Sequence, residues 1–103
     1  MNPYEVKERI YVEIKDWHIT NVDGCSLDMY LVEPEKAPIK CTFNGVTTTE
    51  YWIVFEEDPV NRTGIKIFYN EEDDMFGLAK PDESGDIVSL GHYGTFLNTL
   101  EAM

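Results

Sequence analysis

Basic side chains are scarce in this sequence: 8 Lys and Arg stand against 20 Asp and Glu in 103 residues, a formal net charge of -12. Nucleic-acid binders draw much of their affinity from neutralising phosphates with cations, so a chain without a basic stripe is not expected to hold DNA or RNA. Anionic membranes are repelled in the same way. Long apolar runs are also missing, none approaching the ~20 residues of a membrane span. The opening MNPYEVKERI carries charges where a signal peptide needs an apolar stretch. A cytoplasmic location is therefore expected, with no membrane partner.

Reactive side chains are few as well. Cys25 and Cys41 could form one bridge, yet a single bridge without a secretory signal makes a poor secreted scaffold, and the expectation is two reduced core thiols. No CxxC or HxxxH spacing offers a metal site, so no metal or cofactor is expected. His18 and His92 are the only histidines, and neither lies in a nucleophile elbow or a glycine-rich phosphate loop. No catalytic residue is assigned. The acidic run in NEEDDMFG lacks the alternating ligand positions and central glycine of a calcium loop. The glycines of LGHYGTF are the nearest thing to an anion-binding turn, but they lack a neighbouring cation and suit a strand turning into a helix.

What the chain does have is apolar and aromatic mass: 43% hydrophobic residues and 13% aromatic ones. Disordered acidic tracts lack such side chains. A chain of this length can bury about two-thirds of its unfolded surface, enough for one core, and residues 1–103 read as a single domain.

The first segment fits two periods. Asn2 could cap a helix with Pro3 at its first position and Glu5 reaching back, which puts Val6, Ile10, Ile14 and Trp17 on one face. Ile10, Val12 and Ile14 also alternate as in a strand. The helix is favoured because Glu, Lys and Arg are good helix formers and Glu5 stands four residues before Arg9. Beyond it the signals are extended. Short strands are expected at 18–22 and 27–32 around an Asp23-Gly24 turn, with Pro34 to Pro38 interrupting the pattern. Residues 39–43 and 46–55 flank Asn44-Gly45, the dipeptide of a two-residue type I′ hairpin. In the second arm, alternation sends Tyr51, Ile53 and Phe55 to one face and Trp52 and Val54 to the other. A strand at 65–69, an acidic loop and a return at 75–79 form a second hairpin. A turn at 81–85, a strand at 87–90 and a short helix capped by Thr95 with Phe96, Leu97 and Leu100 complete the chain. The expected fold is α+β, a single antiparallel sheet of five to six strands with the terminal helices packed on one face.

The charge is concentrated between Glu56 and Asp86, where ten acidic residues meet only Arg62, Lys66 and Lys80. Two runs stand out: Glu56, Glu57 and Asp58 after one strand, and Glu71, Glu72, Asp73 and Asp74 at a hairpin tip, seconded by Asp82 to Asp86. Carboxylates on a rigid hairpin either stay solvated and block edge pairing or present a field to a groove of Lys and Arg. Nearby Tyr and Trp would supply apolar contact area. These seven residues are the candidate partner-binding site.

The C-terminal stretch adds a resemblance. Phe76-Gly77-Leu78-Ala79, then Leu90-Gly91-His92-Tyr93-Gly94-Thr95-Phe96-Leu97, closing on Thr99-Leu100-Glu101-Ala102-Met103, resembles the ending of small bacterial proteins, some of them immunity proteins of polymorphic or contact-dependent toxin systems. It covers the last quarter of the chain, and its glycines and apolar residues speak for a shared fold. The resemblance implies a protein that neutralises one cognate toxin by covering its active site or an adjacent surface. No functional residue carries over from it.

The expected function is a non-enzymatic acidic binder of the immunity or inhibitor type that occludes a basic partner, a nuclease being the natural target. A structural or regulatory subunit for another basic protein is one alternative. A small enzyme or ligand-binding domain with a pocket between sheet and helix, gathering His18 or His92 with a cysteine, is another. The charge balance yields a first test: the purified protein should leave duplex DNA and single-stranded RNA unshifted in native gels at physiological ionic strength. A salt-sensitive shift would reverse this reading.

Overall fold

Asn2 begins the structure as a reciprocal cap. Its side-chain oxygen accepts from the Glu5 amide at 2.9 Å while the Glu5 carboxylate accepts from the Asn2 amide at 3.3 Å. Helix α1 follows over Pro3–Ile14, so the helical period is the one the chain adopts. Val6 and Ile10 are buried on its inner face. The computed structural model describes residues 2–14, 21–22, 25–26, 31–42, 45–58, 60–61 and 63–102. Expectations for His18, Trp17, Asp23-Gly24 and most of the 27–32 strand lie outside these residues.

After a two-stranded ribbon of β1 (Asn21–Val22) and β2 (Cys25–Ser26), the chain makes five longer strands: β3 (Leu31–Cys41), β4 (Thr47–Glu56), β5 (Lys66–Asn70), β6 (Met75–Pro81) and β7 (Ile87–Gly94). Helix α2 (Phe96–Glu101) ends it, capped as expected by Thr95, whose hydroxyl accepts from the Asn98 amide at 3.1 Å. The α+β class and the helix at each end agree with the sequence reading. The open sheet does not, because the five strands close into a barrel. Each step from β3 to β7 reverses direction, so the first and fifth strands run the same way and can close only as a parallel pair. That pair is Ile39↔Ile87 and Lys40↔Val88, braced by Lys40 Nζ on Asp86 Oδ2 at 3.0 Å.

Pro34 to Pro38 does not interrupt β3. Proline lacks the amide proton of a ladder, so it survives where pairing is relaxed. Pro34 lies within the register shift between Leu31 and Glu35, and Pro38 stands one residue before the β7 pairing begins. The β3–β4 hairpin is present, in a register different from that of a two-residue turn. An Asn44-Gly45 turn would set Cys41 opposite Thr48, whereas Cys41 faces Thr47. This shift needs an odd number of connecting residues, with Gly45 at φ 96 in the left-handed position.

Two apolar clusters sit on the two faces of the sheet. Trp52, Val54, Ile67, Tyr69, Phe76 and Leu78 meet Val6 and Ile10 of α1 and Phe96 and Leu100 of α2 on the outside. Ile39, Ile53, Phe68 and Ala79 fill the lumen. Phe55 belongs to the outer cluster with Val54, against strict alternation, because the register shift between Ile53 and Phe55 brings successive residues to one side.

A five-stranded lumen is narrow, and Gly77 shows how narrow. A Cβ there would lie 2.4 Å from the Gly91 carbonyl oxygen and 2.5 Å from Phe68 Cζ. Gly77→Ala should therefore lower stability by about 1–3 kcal/mol through overpacking, read as a reduced urea midpoint with an unchanged slope. An unchanged midpoint would mean that the lumen yields freely.

Candidate functional site

The seven acidic residues singled out in the sequence divide into two groups. Glu56 ends β4 and Glu57 and Asp58 open the β4–β5 connection, at one end of β5, and the β5–β6 turn carries Glu71 to Asp74 at the other. Asp82 to Asp86 lies in the β6–β7 turn, at the same end as the first group.

Several of these carboxylates serve the fold. Glu56 is 2% exposed and forms an ion pair with the equally buried Lys66. Its side chain is turned to Lys66 within the protein. Asp58 organises the following loop, accepting from the Asn61 amide at 3.1 Å, Asn61 Nδ2 at 3.2 Å and Thr63 Oγ1 at 3.5 Å. The Asn61 amide, foremost, holds its carboxyl below the ordinary range. Asp82 does the same for the β6–β7 turn through the Ser84 and Asp86 amides.

The hairpin tip is tied down at both ends. Asp74, at φ 50, accepts from Arg9 Nε and from the Tyr69 hydroxyl, both at 2.7 Å. Arg9 also donates through Nη1 to Glu13 Oε2 at 2.6 Å, and its guanidinium lies 5.4 Å from the Phe76 ring centroid. Glu13 in turn accepts from the Phe96 and Leu97 amides at 3.1 and 3.2 Å, the opening of α2. One chain of charges thus joins α1, the tip and α2. Burial works against the Arg9 charge, but its bonds to Asp74 and Glu13 outweigh that and raise its pKa. Burial and the neighbouring Asp74 push the Tyr69 hydroxyl up to about 12. The hydrogen bonds from Arg9 and Tyr69 lower the Asp74 pKa.

At the other end of the turn, Glu71 meets Lys36 Nζ at 3.3 Å, and Lys36 lies 5.2 Å over the Trp52 ring. Burial opposes the Glu71 charge, and the hydrogen bond from Lys36 leads the contributions that outweigh it, leaving its pKa lowered. Asn70 holds the turn itself: its side-chain oxygen accepts from the Glu72 and Asp73 amides at 3.1 and 3.4 Å, and its Nδ2 donates to Asp73 Oδ2 at 3.1 Å. Glu57, Glu72 and Asp73 remain as exposed carboxylates at the two ends of the barrel.

The elements of the enzyme alternative are partly described. His92 packs edge-on against Tyr51 and Phe68, at 5.9 and 5.2 Å between centroids, and its Nε2 stands 3.5 Å from Asn70 Nδ2. Burial, then the adjacent Cys41, raises the Tyr51 pKa. A groove of about 230 Å³ lies beside α1, lined by Ile10, Tyr11, Leu31, Val32 and Val54, with the Lys7–Glu33 ion pair at 2.5 Å on its wall. Cys41 and His92 are not among its lining residues. Comparison with protein-family models, with curated proteins and with solved structures gives no significant match to this chain.

The role of Arg9 and Glu13 went unread in the sequence. Their spacing of four residues was a usable signal, but only the tertiary fold brings Asp74 and α2 to them. Asp74→Asn should cost about 1–2 kcal/mol at pH 7, the value for a charged hydrogen bond discounted for a side chain that is 61% exposed. Because the folded pKa is depressed, this stabilisation is full above the ordinary carboxylate pKa of about 3.9 and fades as pH falls through the folded value. Chemical denaturation of both proteins from pH 7 to pH 2.5 should show the gap closing below about pH 4. A gap that persists at pH 2.5 would assign the loss to something other than the carboxylate.

Proposed function

We propose that this protein is a non-enzymatic, acidic binding protein of the immunity or inhibitor type, which occludes a basic surface of a partner toxin, a nuclease being the target whose cationic groove fits this charge. The observation that carries the reading is the internal use of its cations. Lys7, Arg9, Lys36, Lys40 and Lys66 each hold a carboxylate of the same chain. The excess of acid is therefore presented outward, by Glu57, Glu72 and Asp73 and by exposed residues such as Glu50 and Glu83. Carboxylates at these positions stand in for phosphates in a cationic groove, and complementary charge of this kind accelerates encounter by about 10- to 1,000-fold at low salt.

The division of labour within the tip refines the test. Asp74 and Glu71 hold the fold through Arg9, Tyr69 and Lys36, so neutralising them confounds binding with stability. Glu72 and Asp73 are the informative pair. With a partner obtained by co-purification from the source organism or as the product of a neighbouring gene, Glu72→Gln with Asp73→Asn should retain the melting temperature within a few degrees. Its association rate should fall several-fold at low salt, and the gap should narrow near 1 M salt, where the Debye length is about 3 Å. An unchanged rate with unchanged salt dependence would remove the tip from the binding surface.

A further inference from the structure

Closure of the barrel leaves three stretches of strand paired on one side only among the described residues, because β3 and β7 share just two residue pairs and β5 is shorter than β4. An unpaired edge is a template for another chain, and proteins usually guard it with proline, charge or a bulge. The β3 edge before Ile39 is guarded by Pro34, Pro38 and the shift between Leu31 and Glu35. The β7 edge after Val88 is broken by Gly91 at φ 131 and by two register shifts opposite β6. The third stretch, Thr47–Glu50 of β4, has no proline and no register shift against β3, and its one charge is Glu50 at the end nearest the 71–74 turn.

Thr47, Thr48, Thr49 and Glu50 pair with Cys41, Lys40, Ile39 and Pro38 of β3, and all four are exposed. On the other side, β5 reaches β4 only from Trp52 onward. Extending that register sets Tyr51 level with Asn70 and Glu50 level with the start of the 71–74 turn, where the chain leaves the sheet. The three threonines are β-branched, carry no charge and are suited to a pleated strand.

We propose that the Thr47–Glu50 edge of β4 accepts an extended, Lys- or Arg-bearing segment of the partner protein as an added strand, continuing the line of β5 beside the acidic tip. This rests on the binder reading and supplies its docking mode. The backbone of the edge provides hydrogen bonds to the incoming strand, as in other β-additions. Glu50, Glu72 and Asp73 select its charge. They also disfavour a second copy of this chain, since edge-to-edge pairing would bring two charges of -12 together.

The test uses the intact protein, labelled with 15N, and a blocked seven-residue peptide alternating Lys and Thr. A second peptide of the same sequence, N-methylated on every backbone amide, keeps the cations and loses the donors. At low salt and millimolar peptide, exchange of alternate amides within Thr47–Glu50 should slow tenfold or more with the first peptide and not with the second. If both peptides shift Glu50, Glu72 and Asp73 alike while the edge amides exchange at their original rate, the acidic binder stands and the edge assignment falls. If neither peptide binds at low salt, both readings fall. Protection of the same amides without peptide, together with a doubled mass in sedimentation, would give the edge to a second copy and overturn the proposal.

Discussion

Arg9 is the cation on which separate parts of the molecule depend. It leaves α1 to grip Asp74 at the hairpin tip and Glu13 one helical turn on, and Glu13 satisfies two amides at the start of α2. The first four amides of a helix have no partner within it, and a short helix has few other bonds to offset the loss. The six residues of α2 are thus anchored by Thr95 on one side and by the distant Glu13 on the other. Since Phe96 and Leu100 complete the outer apolar cluster, the polar chain positions the apolar contact.

The lumen is governed by the opposite constraint, volume. Phe68 fills it, and Gly77 and Ala79 leave the room. The buried Glu56–Lys66 pair belongs to the same barrel, one residue from each of two neighbouring strands at a directly paired position. A buried pair of this kind contributes little net stability against an apolar substitute, yet either member alone would be a costly unpaired charge. Its effect is to fix the partner choice of β4 and β5 at the place where the acidic loop begins.

The extent to which all this was legible follows from the range of each interaction. Local signals read well: the Asn2 and Thr95 caps, the four-residue acidic turn between β5 and β6, and the extended character of β4 are written in neighbouring residues. The closing pair Ile39↔Ile87 was not legible, because it joins residues 48 apart through a register that no local pattern encodes. The shift between Ile53 and Phe55 was hidden for a similar reason: a bulge changes which face a residue takes without changing composition. For the site, the sequence located the acids but could not sort them. Glu56 and Glu57 look alike in the chain, and only the placement of Lys66 makes one an interior ion and the other an exposed charge.

That sorting bears on how the surface can act. The two acidic groups are separated by the length of β5, five residues or about 16 Å at ~3.3 Å per residue. This is roughly twice the Debye length of about 8 Å at physiological ionic strength, so each end of the barrel is felt separately by an approaching charge. A partner drawn by one end is not held by the other unless it spans the barrel. The tip at Glu72 and Asp73 has an exposed strand edge next to it, with a backbone ladder to offer once the charge has brought a segment close. The opposite end, at Glu57 and Asp82, has turns whose amides are already occupied by Asp58 and Asp82. On the proposed reading charge would steer a partner at both ends, and among the described residues the tip joins it to a strand edge that can form directional bonds, which is what specific recognition requires beyond charge.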